Sequence, residues 1–125
     1  MEINSKEDLY QEYRIKMFDI EERKEEYQRR KREFEQELEV SRECFREEHT
    51  VLEHLAEMWG ECEDIGRLRC ELGDFIDSEQ KNLNQKEEEL AGEYQDICRQ
   101  ERAYEAWYEE ACRNLAEEDL SLIHI

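Results

Sequence analysis

An all-α fold, a long antiparallel hairpin of two coiled-coil-like helices, follows from three observations. Proline is absent from all 125 residues, apolar side chains recur at seven-residue spacing, and the first of only four glycines, Gly60, falls near the midpoint. Without proline, glycine is the one strong helix breaker available, and it readily takes the left-handed geometry of a helix C-cap. The spacing changes register across Trp59 to Ile65, so the chain is expected to reverse there. The predicted organisation is one domain over 1–125: helix 5–59, turn 60–63, helix 64–118 and tail 119–125.

The first helix is expected to begin at Ser5, whose hydroxyl with Asp8 three residues on forms a capping box. One heptad column reads Tyr10, Met17, Lys24, Lys31, Leu38, Phe45, Leu52, Trp59, and its companion Tyr13, Ile20, Tyr27, Phe34, Ser41, Glu48, Leu55. Eleven of these fifteen positions are apolar or aromatic, which favours a helical seam over strand or disorder. Lysine stems at 24 and 31 can cover apolar surface while keeping their charges wet. Thr50-Val51-Leu52-Glu53 is a second capping box and marks an alternative break or kink, but the column continues through it.

At the turn, Trp59 and Gly60 form the predicted hinge. The tryptophan is large enough to plug the space between diverging helices, with Phe45, Leu52 and Phe75 packing beneath. Acids between Glu61 and Asp64 suit the start of the second helix. Its column is Arg69, Ile76, Leu83, Leu90, Ile97, Tyr104, Ala111, flanked by Ile65, Leu72, Phe75, Tyr94, Trp107, Tyr108 and Leu115. Polar Glu79, Lys86 and Glu93 thin the seam there. Folding back at Gly60 suggests Lys31 opposite Glu87 to Glu89 and Lys24 opposite Glu93, pairs worth a fraction of a kcal/mol when exposed. Gly66, Gly73 and Gly92 either permit close helix approach or simply loosen the helix. The tail, with four aliphatic residues and no helical period, is a docking segment or a frayed end.

Charged residues make up 44% of the chain, the net charge is −19 and the mean hydropathy is −1.15. That surface repels nucleic acid and anionic lipid. The cations Arg29-Arg30-Lys31-Arg32 spread around a helix as a collar and balance Glu25, Glu26, Glu33 and Glu35. No apolar run approaches the roughly 18 residues of a membrane span, and Met1 to Asp8 lacks the pattern of a cleaved signal. A cytoplasmic protein is expected, one that a signal-independent machine can still export with its partner.

Five cysteines, Cys44, Cys62, Cys70, Cys98 and Cys112, cannot form a closed disulfide set and are expected as free thiols. A di-iron bundle needs Glu-x-x-His motifs, whereas His49 and His54 are preceded at that spacing by Arg46 and Val51. Cys44 and His49, five apart, do not share a helix face. Catalytic, cofactor and metal residues are therefore assigned to none, and an enzyme is not expected. Aromatic residues gathered at the open end, Tyr10, Tyr13, Trp107 and Tyr108 beside Phe18 and Tyr104, are the expected partner-binding set.

Two helices joined at Trp59-Gly60 resemble the WXG hairpin proteins of type VII secretion, although the literal Trp-x-Gly spacing is absent. Their export signal, a tyrosine followed four residues later by an acid, has no match, since Tyr104 precedes Tyr108 and Tyr108 precedes Cys112. The chain looks more like the small helical companions of LXG effectors. The residues that carry this are Phe45, His49 and Trp59 with the Glu/Lys/Gln-rich stretch 77–90, and the likeness covers about 34–110. The resemblance implies a non-catalytic targeting chaperone that binds the N-terminal helices of a secreted effector. The alternative is a homo-oligomeric coiled-coil scaffold or spacer.

Overall fold

In the computed structural model, which describes residues 6–123, the chain is an all-α helical hairpin of two helices, α1 (Lys6–Trp59) and α2 (Glu63–Ile123). Glutamate, lysine, arginine, glutamine, leucine and alanine, all strong helix formers, supply most positions in both. α1 ends because Gly60 takes φ +77°, while its N–H still donates to the carbonyl of Ala56 at 2.8 Å. This is the left-handed C-terminal glycine of a helix. Two residues later the Cys62 carbonyl accepts from the N–H of Gly66 at 3.0 Å, the first bond of α2. Glu63 and Asp64 occupy the positive end of that helix.

Thr50 starts no second helix. Its hydroxyl donates back to the carbonyl of Arg46 at 2.8 Å, and α1 runs through unbroken. The Ser5 cap lies outside the described residues. At the other end α2 continues to Ile123, where the sequence reading stopped it at 118. Leu115 to Leu120 contains neither glycine nor proline, and a helix already nucleated propagates through such residues at little cost. The remainder of the expected tail, His124 and Ile125, lies outside the described residues.

Two compact units share the two helices: Met1–Gln28 with Gly92–Ile125, and Arg29–Ala91. In the first unit the buried residues are Leu9, Ile20, Tyr27 and Ile97, with Ile20 fully enclosed. Burying an isoleucine this completely contributes about 1.5–3 kcal/mol. Tyr13 stacks on Tyr108 with ring centroids 4.2 Å apart, and Tyr27 on Tyr94 at 4.9 Å. The second unit, which contains the turn, buries Phe34, Leu52, Ala56, Ile65 and Leu83. Phe45 meets Phe75 edge-on at 6.4 Å, and Lys86 donates to Glu37 at 2.8 Å.

On α1 the companion column is buried or half-buried from Tyr13 through Ser41, but the seam departs from the first column before Phe34. A line of buried and half-buried positions runs Leu9, Tyr13, Lys16, Ile20, Arg23, Tyr27, Arg30, Phe34, alternating steps of four and three, with Glu12, Met17 and Lys24 half-buried beside it. After Phe34 comes Leu38 rather than residue 37, then Ser41, Phe45 and Leu52. Two consecutive steps of four are a coiled-coil stutter. Tyr10 and Lys31 are consequently exposed although they share a column with Leu52. The long stems of Lys16, Arg23 and Arg30 cover the seam in their place.

Ion pairing follows the same corrected register. Lys24 donates to Glu101 rather than Glu93, and Lys31 is exposed. The stacked tyrosines place Lys24 beside Glu101, two turns beyond the acid expected. A Cβ at Gly66, Gly73 or Gly92 would meet open space, so none of the three serves a close helix approach.

Candidate functional site

Gly60 forms the turn, but Trp59 does not plug it: 68% of its surface is exposed. A residue at the last position of α1 points past the end of the seam, and Leu52, Ala56 and Ile65 are the buried side chains flanking the turn. Phe45 and Phe75 meet further along α1 and α2, and Phe75 remains half exposed.

The four aromatics expected to bind a partner are brought to one end of the first unit, with different fates. Tyr13 and Tyr108 satisfy each other as a stacked pair at an interplanar angle of 18°. Trp107 is half-buried, and the Lys16 ammonium lies 5.0 Å from its ring and 5.3 Å from that of Tyr104. A cation held against aromatic faces contributes about 0.5–1 kcal/mol at an accessible site. Tyr10 alone of the four stays open to solvent, with Arg14 over its ring at 5.9 Å. Three of the expected anchors thus pack within the chain.

The most exposed apolar side chains of this unit lie elsewhere on α1. Ile15 and Phe18 are 71% and 66% exposed, and their three-residue separation places them on one helix face. Tyr10 lies five residues before Ile15, so the two do not share a face. The polar frame around the seam is well ordered: Arg23 donates to Gln100, whose amide donates to the Tyr104 hydroxyl at 2.7 Å.

A repeat that the sequence reading missed runs through this unit. On α2, Tyr94 and Cys98 recur fourteen residues later as Tyr108 and Cys112; on α1, Tyr13 and Tyr27 share that separation. Tyr94 and Tyr108 each stack on an α1 tyrosine and have a cysteine one turn on. Hydrogen bonding and charge from Cys98, with burial, push the Tyr94 hydroxyl above its ordinary pKa. Cys112 and burial do the same for Tyr108. Tyr13 is raised by burial and by the acids Glu105, Glu101 and Glu109. The hydrogen bond to Glu101 raises Lys24. The Tyr-x-x-x-Cys spacing was the available signal. All five cysteines are free.

Among the described residues, no group of three or more His, Cys, Asp or Glu side chains is placed to hold a metal ion. No helix there is long and apolar enough to cross a membrane. What the fold and its surface define is a two-helix hairpin with a thin aromatic seam and apolar side chains left outside it. No protein-family model matches the chain, and no curated protein and no solved structure is significantly similar to it.

Proposed function

We propose that the protein is a non-catalytic adaptor or targeting chaperone that pairs with a long helical partner. One observation carries this reading: Ile15 and Phe18 stand 71% and 66% exposed on a chain otherwise dominated by charge. Apolar patches framed by polar residues are where soluble proteins bind one another, and large side chains at their centre supply most of the binding energy. A helix laid along α1 would cover Ile15 and Phe18 and convert the hairpin locally into a three-helix bundle. The likeness to companions of LXG effectors makes the N-terminal helices of a secreted effector the natural partner, met in the cytoplasm before export.

Co-expression with the product of the adjacent gene, followed by co-purification, tests this. Wild type should carry the partner, and the double substitution Ile15→Glu, Phe18→Glu should lose it with helicity unchanged. Trp107→Ala with Tyr108→Ala is the poorer test, because it dismantles the Tyr13 stack as well. Light scattering of the protein alone addresses the scaffold alternative: a discrete homo-oligomer that Phe18→Glu dissolves would replace the adaptor reading.

A further inference from the structure

The segment around the turn, within the second unit, has two unlike sides. On one, Arg69 on α2 donates to both carboxylate oxygens of Glu61, at 2.6 and 2.7 Å, and reaches Glu53 on α1 at 3.5 Å. That side is latched by charge. On the other side an open groove of about 410 Å³ runs between the helices, lined by Glu47, Glu48, Val51, Leu52, Leu55, Leu68 and Leu72. Leu52 forms its buried floor, while Val51 and Leu68 stand 59% and 42% exposed on its two walls.

Helical spacing extends both walls. Val51, Leu55 and Met58 stand at i, i+4 and i+7 on α1, and Leu68, Leu72 and Phe75 repeat that spacing on α2. Met58 and Phe75 are 67% and 50% exposed. Two apolar ridges with a trough between them are the surface into which the ridge of a third helix packs.

Charge selects the occupant. The groove lining holds two glutamates and no cation. Between residues 43 and 79 there are twelve Asp and Glu side chains against three arginines, a net −9. Arg69 is engaged on the opposite side, and Arg67 lies 4.0 Å from Asp64. A second copy would bring the same −19 to the contact, and like charges across an interface oppose it. We infer that this groove seats one amphipathic helix of another protein, with large aliphatic or aromatic residues on its apolar face and Lys or Arg along both flanks. The inference rests on the adaptor reading and supplies its second contact, separate from Ile15 and Phe18.

Three fluorescently labelled helical peptides test it by anisotropy titration against the full chain. The first carries leucines at i, i+4 and i+7 with lysine flanks, the second the same leucines with glutamate flanks, and the third the lysines with serines replacing the leucines. The first should bind, and the other two should bind at least about tenfold more weakly. Val51→Glu with Leu68→Glu should weaken the first peptide by at least about tenfold at unchanged circular dichroism. Leu68→Ser provides a milder variant should the double substitution disturb folding. Binding of the lysine–serine peptide as tight as the first would reduce the effect to charge attraction and overturn the groove. Undiminished binding to both variants, or no binding of the first peptide, would overturn it as well. So would a wild-type dimer that Leu68→Glu converts to monomer, since a second copy would then be the occupant. Co-purification separates the two readings. Partner loss with Phe18→Glu but not with Leu68→Glu leaves the adaptor standing and removes the groove. Peptide binding without any co-purified partner does the reverse.

Discussion

Replacing Ile65 by alanine tests what closes the turn. Ile65 is 0% exposed in the first turn of α2, near buried Leu52 and Ala56 of the same unit. The substitution removes three carbons, and at about 0.8 kcal/mol per buried methylene the transfer term alone is about 2.4 kcal/mol. A residual cavity adds to this, within the range of about 2–5 kcal/mol for such truncations. One thin layer of side chains beside a three-residue turn can relax inward, so a loss of about 2–3 kcal/mol is expected. Trp59→Ala is the control. With 68% of its surface exposed at a helix end, tryptophan has little tertiary contact to lose, and a cost within about 0.5 kcal/mol is expected. Urea unfolding followed by far-ultraviolet circular dichroism and by tyrosine fluorescence reads both. With a slope of about 1–3 kcal/mol per molar, Ile65→Ala should lower the midpoint by about 0.7–3 M and Trp59→Ala hardly at all. Coincidence of the two probes checks that a single transition is being measured. If Trp59→Ala lowers the midpoint as much as Ile65→Ala, tryptophan closes the turn after all and the packing described here is wrong.

Alkali should unfold the first unit. Tyr13, Tyr94 and Tyr108 have folded-state pKa values above the ordinary 10.0, so the stability they contribute is complete below 10.0 and lost as pH rises through the folded values. Lys24, raised above 10.5 by Glu101, acts in the same direction, and the melting temperature should fall in step with tyrosinate absorbance. Glu61, depressed by Arg69, contributes above the ordinary 4.5, and its share disappears as pH falls through the lower folded value; Arg69→Ala should remove that acid dependence. Gly73→Ala, in open space within α2, should raise stability by about 0.5–1 kcal/mol, whereas Gly60→Ala at φ +77° should lower it by about 1–2 kcal/mol, both read from urea midpoints. Added salt should raise the melting temperature, because screening relieves the self-repulsion of a −19 chain. Spin labels at positions 38 and 83, both in the second unit, should lie close together within one chain, and contact only between chains would argue against the hairpin.

Much of the fold was legible because identity and spacing agreed. Leu38, Phe45 and Leu52 on α1, and Ile76, Leu83, Leu90, Ile97 and Tyr104 on α2, keep heptad spacing with suitable side chains at each position. Between Tyr10 and Lys31 they conflict. Lys16, Arg23 and Arg30 look like solvent positions, yet their stems cover the seam, so the stutter after Phe34 was hidden behind charged names. Ion-pair partners were misplaced for a related reason: pairing depends on the seam register, which no single strand of heptads fixes. At the candidate site, the convergence of Tyr13 with Tyr108 followed from the hairpin alone. Their mutual stacking did not, because a column shows that two rings approach but not that they satisfy each other. The groove was overlooked since Val51, Met58, Leu68 and Phe75 lie beside the seam. Its signal, two apolar sets at i, i+4 and i+7, was present but off the heptad column being followed.

The cross-helix contacts are spaced along the chain in a way that orders how the molecule must form. Glu53 and Arg69 are 16 residues apart, Glu37 and Lys86 49, and Lys24 and Glu101 77. Each doubling of a loop costs about 0.6 kcal/mol of closure entropy, so contacts beside Gly60 close first and the rest follow like a zipper. During synthesis the consequence is sharper. Leu9, Tyr13 and Ile20 leave the ribosome before any of α2, yet Tyr13 has no ring to stack on until Tyr108 emerges. The N-terminal arm, which carries Ile15 and Phe18, is therefore the last part of the nascent chain to find intramolecular cover.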